Sequence, residues 1–327
     1  MLAPQNQVRV PAPQNQERVL VGDLPRKDLA RRLRREGVHL NTGAFTTHLH
    51  IALDSLVDEF AEMYALYPLE DPPGIDDAYV RVVGGALYSR LFKPVAHAWA
   101  DAQAIEPVPA ERAFTAMETA FNWGVASSDV APMIMHSAVL ERDGRALFMP
   151  APSGSGKSTL CAALAWRGWR LLSDEMAVFS FEDGNVYPNP RPVSLKNQAI
   201  GIVAAFEPRA RFSRVYRGTL KGDVAYMQPP SEAIARAQEP AIPGLVVAPV
   251  YVKGAATTLK ELDRSEGFRW LIDSSLNYAS MLRPGFDMMT RVAERAGLYS
   301  LTYSDLDSAI EVINGLHEDA SVRQGSA

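Results

Sequence analysis

Three groups of residues in this chain have types and spacings suited to phosphate chemistry. The run Ser153-Gly154-Ser155-Gly156-Lys157-Ser158-Thr159 joins two glycines to a lysine and neighbouring hydroxyls. Phosphate oxygens need several backbone N–H groups converging on one concave spot, plus the positive end of a helix. Gly154 and Gly156 permit that tight path, Lys157 offers a point charge to the β- and γ-phosphates, and Ser158 is placed to ligate Mg²⁺. Ala151 stands where the usual pattern has its first glycine. That position ends a strand, and a small residue serves there if its φ is negative. An acidic pair, Asp174-Glu175, lies 17 and 18 residues beyond Lys157, and His136 precedes the loop. One carboxylate facing a metal and one facing an acceptor hydroxyl is the minimum apparatus of a kinase.

Such groups work only if regular elements bring them to one place. Met133 to Leu140 and Arg145 to Met149 read as two strands joined by a hairpin turn at Glu141-Arg142-Asp143-Gly144. The second strand leads into the glycine-rich loop, and a helix is expected from Lys157 to about Trp166, stopped at Gly168. Trp169 to Leu172 is the next expected strand. In a doubly wound sheet the C-terminal strand ends share one edge, which carries the acidic pair to the loop. Toward the C-terminus, Leu298 to Tyr303 reads as a strand. Ser304 and Asp307 then make a capping-box-like start for a helix from Leu306 to about Leu316.

The first half of the chain carries weaker signals. Ala3-Pro4-Gln5-Asn6-Gln7 returns as Ala12-Pro13-Gln14-Asn15-Gln16, a near-repeat poor in apolar anchors. Residues 1–40 are expected to be a flexible segment, because so little apolar surface cannot offset the entropy of ordering. Residues 41–115 read as an α+β region. Leu56, Val57, Phe60, Met63, Tyr64 and Tyr67 form a helical stripe ended by Pro68, and Tyr79 to Val83 reads as a strand. Pro107-Val108-Pro109 is expected to break the chain before a helix from about Glu111 to Val125. Residues 116–318 form the expected catalytic core, and 319–327 a polar, disordered tail.

Composition excludes several classes of function. The chain has 327 residues, 47% hydrophobic and 22% charged, with a net charge of -5 and pI near 5.8. No bulk electrostatic attraction to nucleic acid follows. The basic run Arg31-Arg32-Leu33-Arg34-Arg35 reads as a solvated helix face. Cys161 is the one cysteine, so neither an intramolecular disulfide nor a cysteine-based zinc site can form. No apolar run approaches the ~20 residues of a membrane span, and a cytoplasmic protein is expected. His39, His48 and His50 lack an evident third ligand. Cys161, Trp166, Trp169, Phe121, Trp123 and Tyr278 read as packing residues.

His136, the SGSGKS loop and Asp174-Glu175 resemble HPr kinase/phosphorylase in order and spacing. That family phosphorylates a serine of a small carrier protein and shares its fold with ATP-dependent phosphoenolpyruvate carboxykinase. The likeness is greatest to its divergent HprK-related kinases of subgroup A. It rests on HSAVLERDGRALFMPAPSGSGKSTLCAALAWRGWRLLSDE, PRPVSLKN and KGDVAYMQPP, and spans roughly residues 45 to 315. The resemblance implies an α/β fold: a P-loop kinase core of the HPr kinase/PEP carboxykinase type with a small N-terminal α+β region.

It further implies a phosphotransferase using ATP and Mg²⁺ on a serine of a small protein or peptide. In that scheme His136 lies near the transferred phosphate, Asp174 aligns the acceptor hydroxyl, and Glu175 supports Mg²⁺ with Ser158. The later Glu-Ile-Arg-Gly signature of HPr kinases is replaced here by Lys196-Asn197-Gln198-Ala199. Lys196 cannot ligate a metal but can neutralise phosphate charge. Lys221, on a predicted loop, reads either as a further phosphate clamp or as an exposed surface lysine, and Arg191 carries the same two readings. HPr kinases are hexamers, so a homo-oligomer is compatible with the resemblance. Two other readings stay open: a nucleotide-dependent regulatory module without transfer, and a small-molecule kinase.

Overall fold

A computed structural model of the chain describes residues 18–85, 94–127 and 133–325, the side chains of 321–325 excepted. It shows a mixed α/β protein with three sheets. The N-terminal half contains helix α1 (Arg26–Arg35), strands β1 (Val38–Asn41) and β2 (Thr46–Ala52), and helix α2 (Asp54–Met63). Strands β3 (Ala78–Gly84), β4 (Val95–Ala100) and β5 (Gln103–Pro109) and helix α3 (Ala113–Ser127) complete it. The five strands form one sheet in sequence order, with β2 and β3 parallel and the other pairs antiparallel.

The C-terminal half begins with β6 (Met133–Arg142), β7 (Arg145–Pro150), α4 (Lys157–Ala165), β8 (Arg170–Ser173), β9 (Met176–Phe179) and β10 (Val186–Tyr187). A small sheet follows, from β11 (Val193–Lys196), α5 (Gln198–Phe206), β12 (Tyr216–Thr219) and β13 (Gly222–Met227). Then come α6 (Ser231–Ala235), β14 (Ile242–Tyr251), β15 (Thr258–Glu261), α7 (Arg264–Asp273), α8 (Tyr278–Arg295), β16 (Gly297–Tyr303) and α9 (Leu306–Gly325). The large sheet runs β10-β9-β6-β7-β14-β16-β15, with β8 also paired to β6. Strands β7, β14 and β16 are parallel at its centre. Parallel strands lie buried on both faces and read as continuous apolar runs. In β7, Leu147 and Met149 pack toward α4 and α9, while Ala146 and Phe148 pack toward α7 and α8.

Several sequence expectations need correction. The segment expected to be flexible through residue 40 contains α1 and most of β1. Leu29 and Leu33 lie four apart on α1 and are fully buried against the first sheet, which supplies the apolar contact the compositional argument had missed. The near-repeat at residues 3–16 lies outside the described residues. Arg31, Arg32 and Arg34 face outward and pair with Asp28, Asp71 and Asp54. Pro107 and Pro109 do not break the chain but lie within β5. That strand is the sheet's edge, where a missing N–H costs no ladder bond on the open side.

A boundary between residues 115 and 116 would cut α3. Phe114, Met117 and Phe121 of that helix join the core of the first sheet, together with Tyr216, Val224 and Tyr226 from the small sheet. The tail is helical through Gly325. His317 anchors it: the ring is buried edge-on against Trp169 and reaches Asp143 Oδ2 at 3.0 Å. Asp305 rather than Ser304 caps α9, accepting from the Ser308 N–H at 2.8 Å, while Ser304 Oγ donates to the Ala255 carbonyl. No helix among the described residues is long and apolar enough to cross a membrane.

Candidate active site

The β6–β7 hairpin turns at Asp143 and Gly144, both at positive φ (53° and 77°), the backbone of a two-residue hairpin turn. This aligns β6 beside β7 and carries His136 to the same sheet edge as the loop that follows β7. In that loop Gly154 and Gly156 take φ of +89° and +88°, a region that favours glycine. Gly156 is constrained twice: a Cβ there would lie 2.3 Å from the Tyr303 hydroxyl, which donates to the Gly156 carbonyl at 3.0 Å. Ala151 is buried and is not among the residues of positive φ. Ser153 and Gly154 are exposed at the tip, whereas Ser155, Ser158 and Thr159 are half-buried. Helix α4 starts at Lys157, so its first-turn N–H groups and its positive end face the loop's concavity.

Four predicted side chains converge there. Lys157 is nearly buried, and its Nζ donates to Nε2 of His136 at 3.2 Å. Nδ1 of His136 lies 3.1 Å from the Glu175 carbonyl and 3.5 Å from Glu175 Oε2. Burial, then the charge of Lys157, pulls the His136 pKa below its ordinary value, against the pull of Glu175. A neutral ring that accepts at Nε2 carries its proton on Nδ1, directed at the Glu175 carbonyl. Burial also raises the pKa of Glu175, but the charges of Lys157, Lys196 and Lys221 outweigh it and the net shift is downward. The charge is therefore held on Glu175.

Asp174 behaves differently, being 4% exposed with its pKa raised to about 6. Burial is the main cause; Lys157 opposes it and the neighbouring charge of Glu175 adds to it. Adjacent carboxyl groups pushed apart in pKa are the usual sign of divided acid–base roles. Asp174 Oδ2 accepts from the Ser194 N–H at 3.3 Å, and the Ser158 hydroxyl lies close enough to favour the ionised form. Oδ1, however, is buried and has no hydrogen-bond partner. A partnerless carboxylate oxygen next to the first-turn hydroxyl of α4 is a donor set that fits a hard divalent cation such as Mg²⁺.

On the other side of the acidic pair opens a cavity of about 550 Å³. Asp174, Glu175, Ser194, Arg191 and Lys221 line its near wall, and α3 and β5 form the far one. No residue of the Gly-Lys-Ser loop lines it. Sequence reasoning missed the group that closes its base. Glu118, on the buried face of α3, accepts from Arg191 Nη1 at 3.0 Å and from the Tyr64 hydroxyl, and Arg191 also donates to Asn122 Oδ1. Burial raises the Glu118 pKa and Arg191 opposes that shift. A lone acid between Met117 and the next apolar turn of α3 was the available signal.

The histidines set aside from sequence do acquire a third neighbour. His39 Nδ1 lies 2.7 Å from Asp76 Oδ1, and the His39 and His48 rings stack with centroids 4.5 Å apart and planes at 21°. Ring lone pairs lie in the ring planes, so near-parallel stacked rings do not converge on one ion. His48 and His50 instead donate from Nε2 to the Glu36 and Arg34 carbonyls at the end of α1. Trp169 is buried and donates to Asn314 Oδ1 at 3.0 Å, and so is a packing residue.

No family model matches the sequence. No curated protein matches it either. Among solved structures, the chain is similar to the Hpr(Ser) kinase/phosphatase from Coxiella burnetii at 12% identity and a TM-score of 0.28, over 59% of this chain and 98% of that one. At that score the likeness assigns no residue and no activity.

Proposed function

We propose that this chain is a phosphotransferase that moves the γ-phosphoryl group of ATP to a serine hydroxyl of a small protein or peptide. The observation that carries the reading is the position of the acidic pair. Asp174 and Glu175 stand between a glycine-rich loop at a helix N-terminus and a separate cavity, so donor and acceptor would meet across them. Bound Mg²⁺–ATP supplies the phosphoryl group and a divalent charge that offsets its oxygens. Backbone N–H groups of residues 154–158 and the Lys157 ammonium bind the β- and γ-phosphates. Ser158 and Asp174 hold the metal, with Oδ1 of Asp174 gaining the partner it lacks. Glu175 orients the acceptor hydroxyl and takes its proton on a carboxylate oxygen as the serine Oγ–P bond forms and the bond to the departing diphosphate breaks. Lys196 and Lys221 offset charge on the transferred group, and neutral His136 holds Lys157 and Glu175 in register.

This assignment exchanges the roles that the family resemblance suggests for the two carboxylates. The support is electrostatic: Asp174 is the one beside Ser158, and Glu175 is the one kept ionised by surrounding cations. The test is transfer from γ-labelled ATP in lysate of the source cell, with Lys157→Ala as the control. A labelled protein or peptide band that disappears in the variant is the expected result. Tight ATP binding with no label anywhere would replace this reading with that of a nucleotide-dependent regulatory module.

A further inference from the structure

The cavity beyond the acidic pair has features that say what kind of acceptor it takes, given the phosphotransfer reading above. Its volume of about 550 Å³ lies in the range of ligand pockets. Two of the arginines in its walls are already engaged. Arg191 is held by Glu118 and Asn122, and Arg112 donates from Nη1 to the Gly218 carbonyl at 2.7 Å. Two exposed charges of opposite sign, Glu106 and Lys221, also line it. Apolar side chains line it as well: Ile105 and Val108 are half-buried on β5, and Trp123 and Leu220 stand at the rim.

Both rim residues are exposed. Trp123 is 48% exposed on α3, and Leu220 is 93% exposed on the β12–β13 turn. A single exposed leucine is ordinary surface. Here both line the mouth of one cavity that Asp174 and Glu175 also line. A metabolite that filled the cavity would leave the rim in water. A chain segment entering with its serine and continuing outward would cover both side chains. Main-chain pairing with the β5 edge would not grip it well, because Pro107 and Pro109 lack N–H groups there. Side chains must then supply the grip.

We propose that the acceptor is a peptide segment with apolar residues flanking its serine, read by Trp123 and Leu220 as specificity residues. Tryptophan is the residue type most often found carrying the energy of such contacts. Glu106 and Lys221 put one exposed charge of each sign on the cavity, so charge alone favours neither acidic nor basic flanks.

The experiment uses the full chain, ATP, Mg²⁺ and short synthetic peptides with one serine, whose flanking residues are apolar, acidic or basic. Apolar-flanked peptides should be phosphorylated with the highest kcat/KM. Trp123→Ala and Leu220→Ser should each lower that value about tenfold for the apolar-flanked peptide, mainly through its KM. ATP affinity measured on the same samples separates this loss from misfolding. Phosphorylation that ignores flank type, or prefers charged flanks, overturns the inference and leaves phosphotransfer standing. Label on a metabolite but on no peptide overturns the acceptor class. Bound ATP with no label anywhere removes the phosphotransfer reading and this inference with it.

Discussion

The loop side of the site and the α3 side both bury charge, but they treat their carboxylates in opposite ways. On the α3 side, Glu118 is satisfied by the Tyr64 hydroxyl and the Arg191 guanidinium, and Arg191 reaches on to Asn122. On the loop side, Asp174 keeps one oxygen without a partner, and burial beside Glu175 lifts its pKa. A buried polar group with no partner costs free energy, so it persists where something else is meant to complete it. The α3 side thus joins the two halves of the molecule, and the loop side is left ready for a ligand.

The largest expected effect lies in the joint. Glu118→Ala would leave the buried Arg191 cation without its counter-charge, held by Asn122 alone, and should lower stability by about 3–5 kcal/mol, read by denaturant unfolding. Replacing both partners, Glu118→Leu with Arg191→Met, should restore most of that loss, since matched apolar groups avoid the desolvation penalty. A cost below about 1 kcal/mol for Glu118→Ala would mean that water already reaches the pair. The contrast between the two sides would then fail.

Next comes the loop. Lys157→Ala removes a fixed cation aimed at developing phosphate charge and should lower the single-turnover transfer rate by about a hundred- to a thousandfold. The carboxylates can then be told apart. Glu175→Gln should lower the maximal rate by about a hundredfold at unchanged Mg²⁺ requirement, the size expected for a lost proton acceptor. Asp174→Asn should raise the Mg²⁺ concentration needed for half-maximal rate. The reverse pattern would return Asp174 to the acceptor and Glu175 to the metal.

The two sides also differ in how far they could be read from sequence. His136, the glycine-rich loop and Asp174-Glu175 lie within one strand–strand–loop–helix–strand run, so local patterns placed them on one sheet edge. Hairpin, loop and helix were legible because each leaves a local chemical mark: Asp143-Gly144, the two glycines and Gly168. The α3 wall leaves only one, the lone acid Glu118 on an otherwise uncharged helix. Tyr64, Glu118 and Arg191 come from three distant parts of the chain and meet only through packing. Helix α1 was missed for a related reason. Its order comes from two leucines against a sheet formed later in the chain, and a composition rich in arginine hides them. Local chemistry is visible in a sequence; contacts earned by tertiary packing are not.

The smallest expected effect is a pH dependence that belongs to the loop side alone. Asp174 has a pKa of about 6 in the folded protein against 3.8 ordinarily. A carboxyl group raised in this way favours the ligand-free fold at low pH; its contribution is complete below about pH 4 and is lost as pH rises through about 6. Metal binding runs the other way, because the cation needs the carboxylate. Apparent Mg²⁺ affinity in the presence of a non-hydrolysable ATP analogue should therefore rise about tenfold between pH 5 and 7, then level off. In Asp174→Asn the rise should vanish, and in Glu175→Gln it should persist with its midpoint lowered, because the neighbouring negative charge is gone. Titration calorimetry across that range reads all three curves. A flat wild-type curve would mean that the orphaned oxygen is not the metal's partner, and the loop side would lose the feature that sets it apart from the joint.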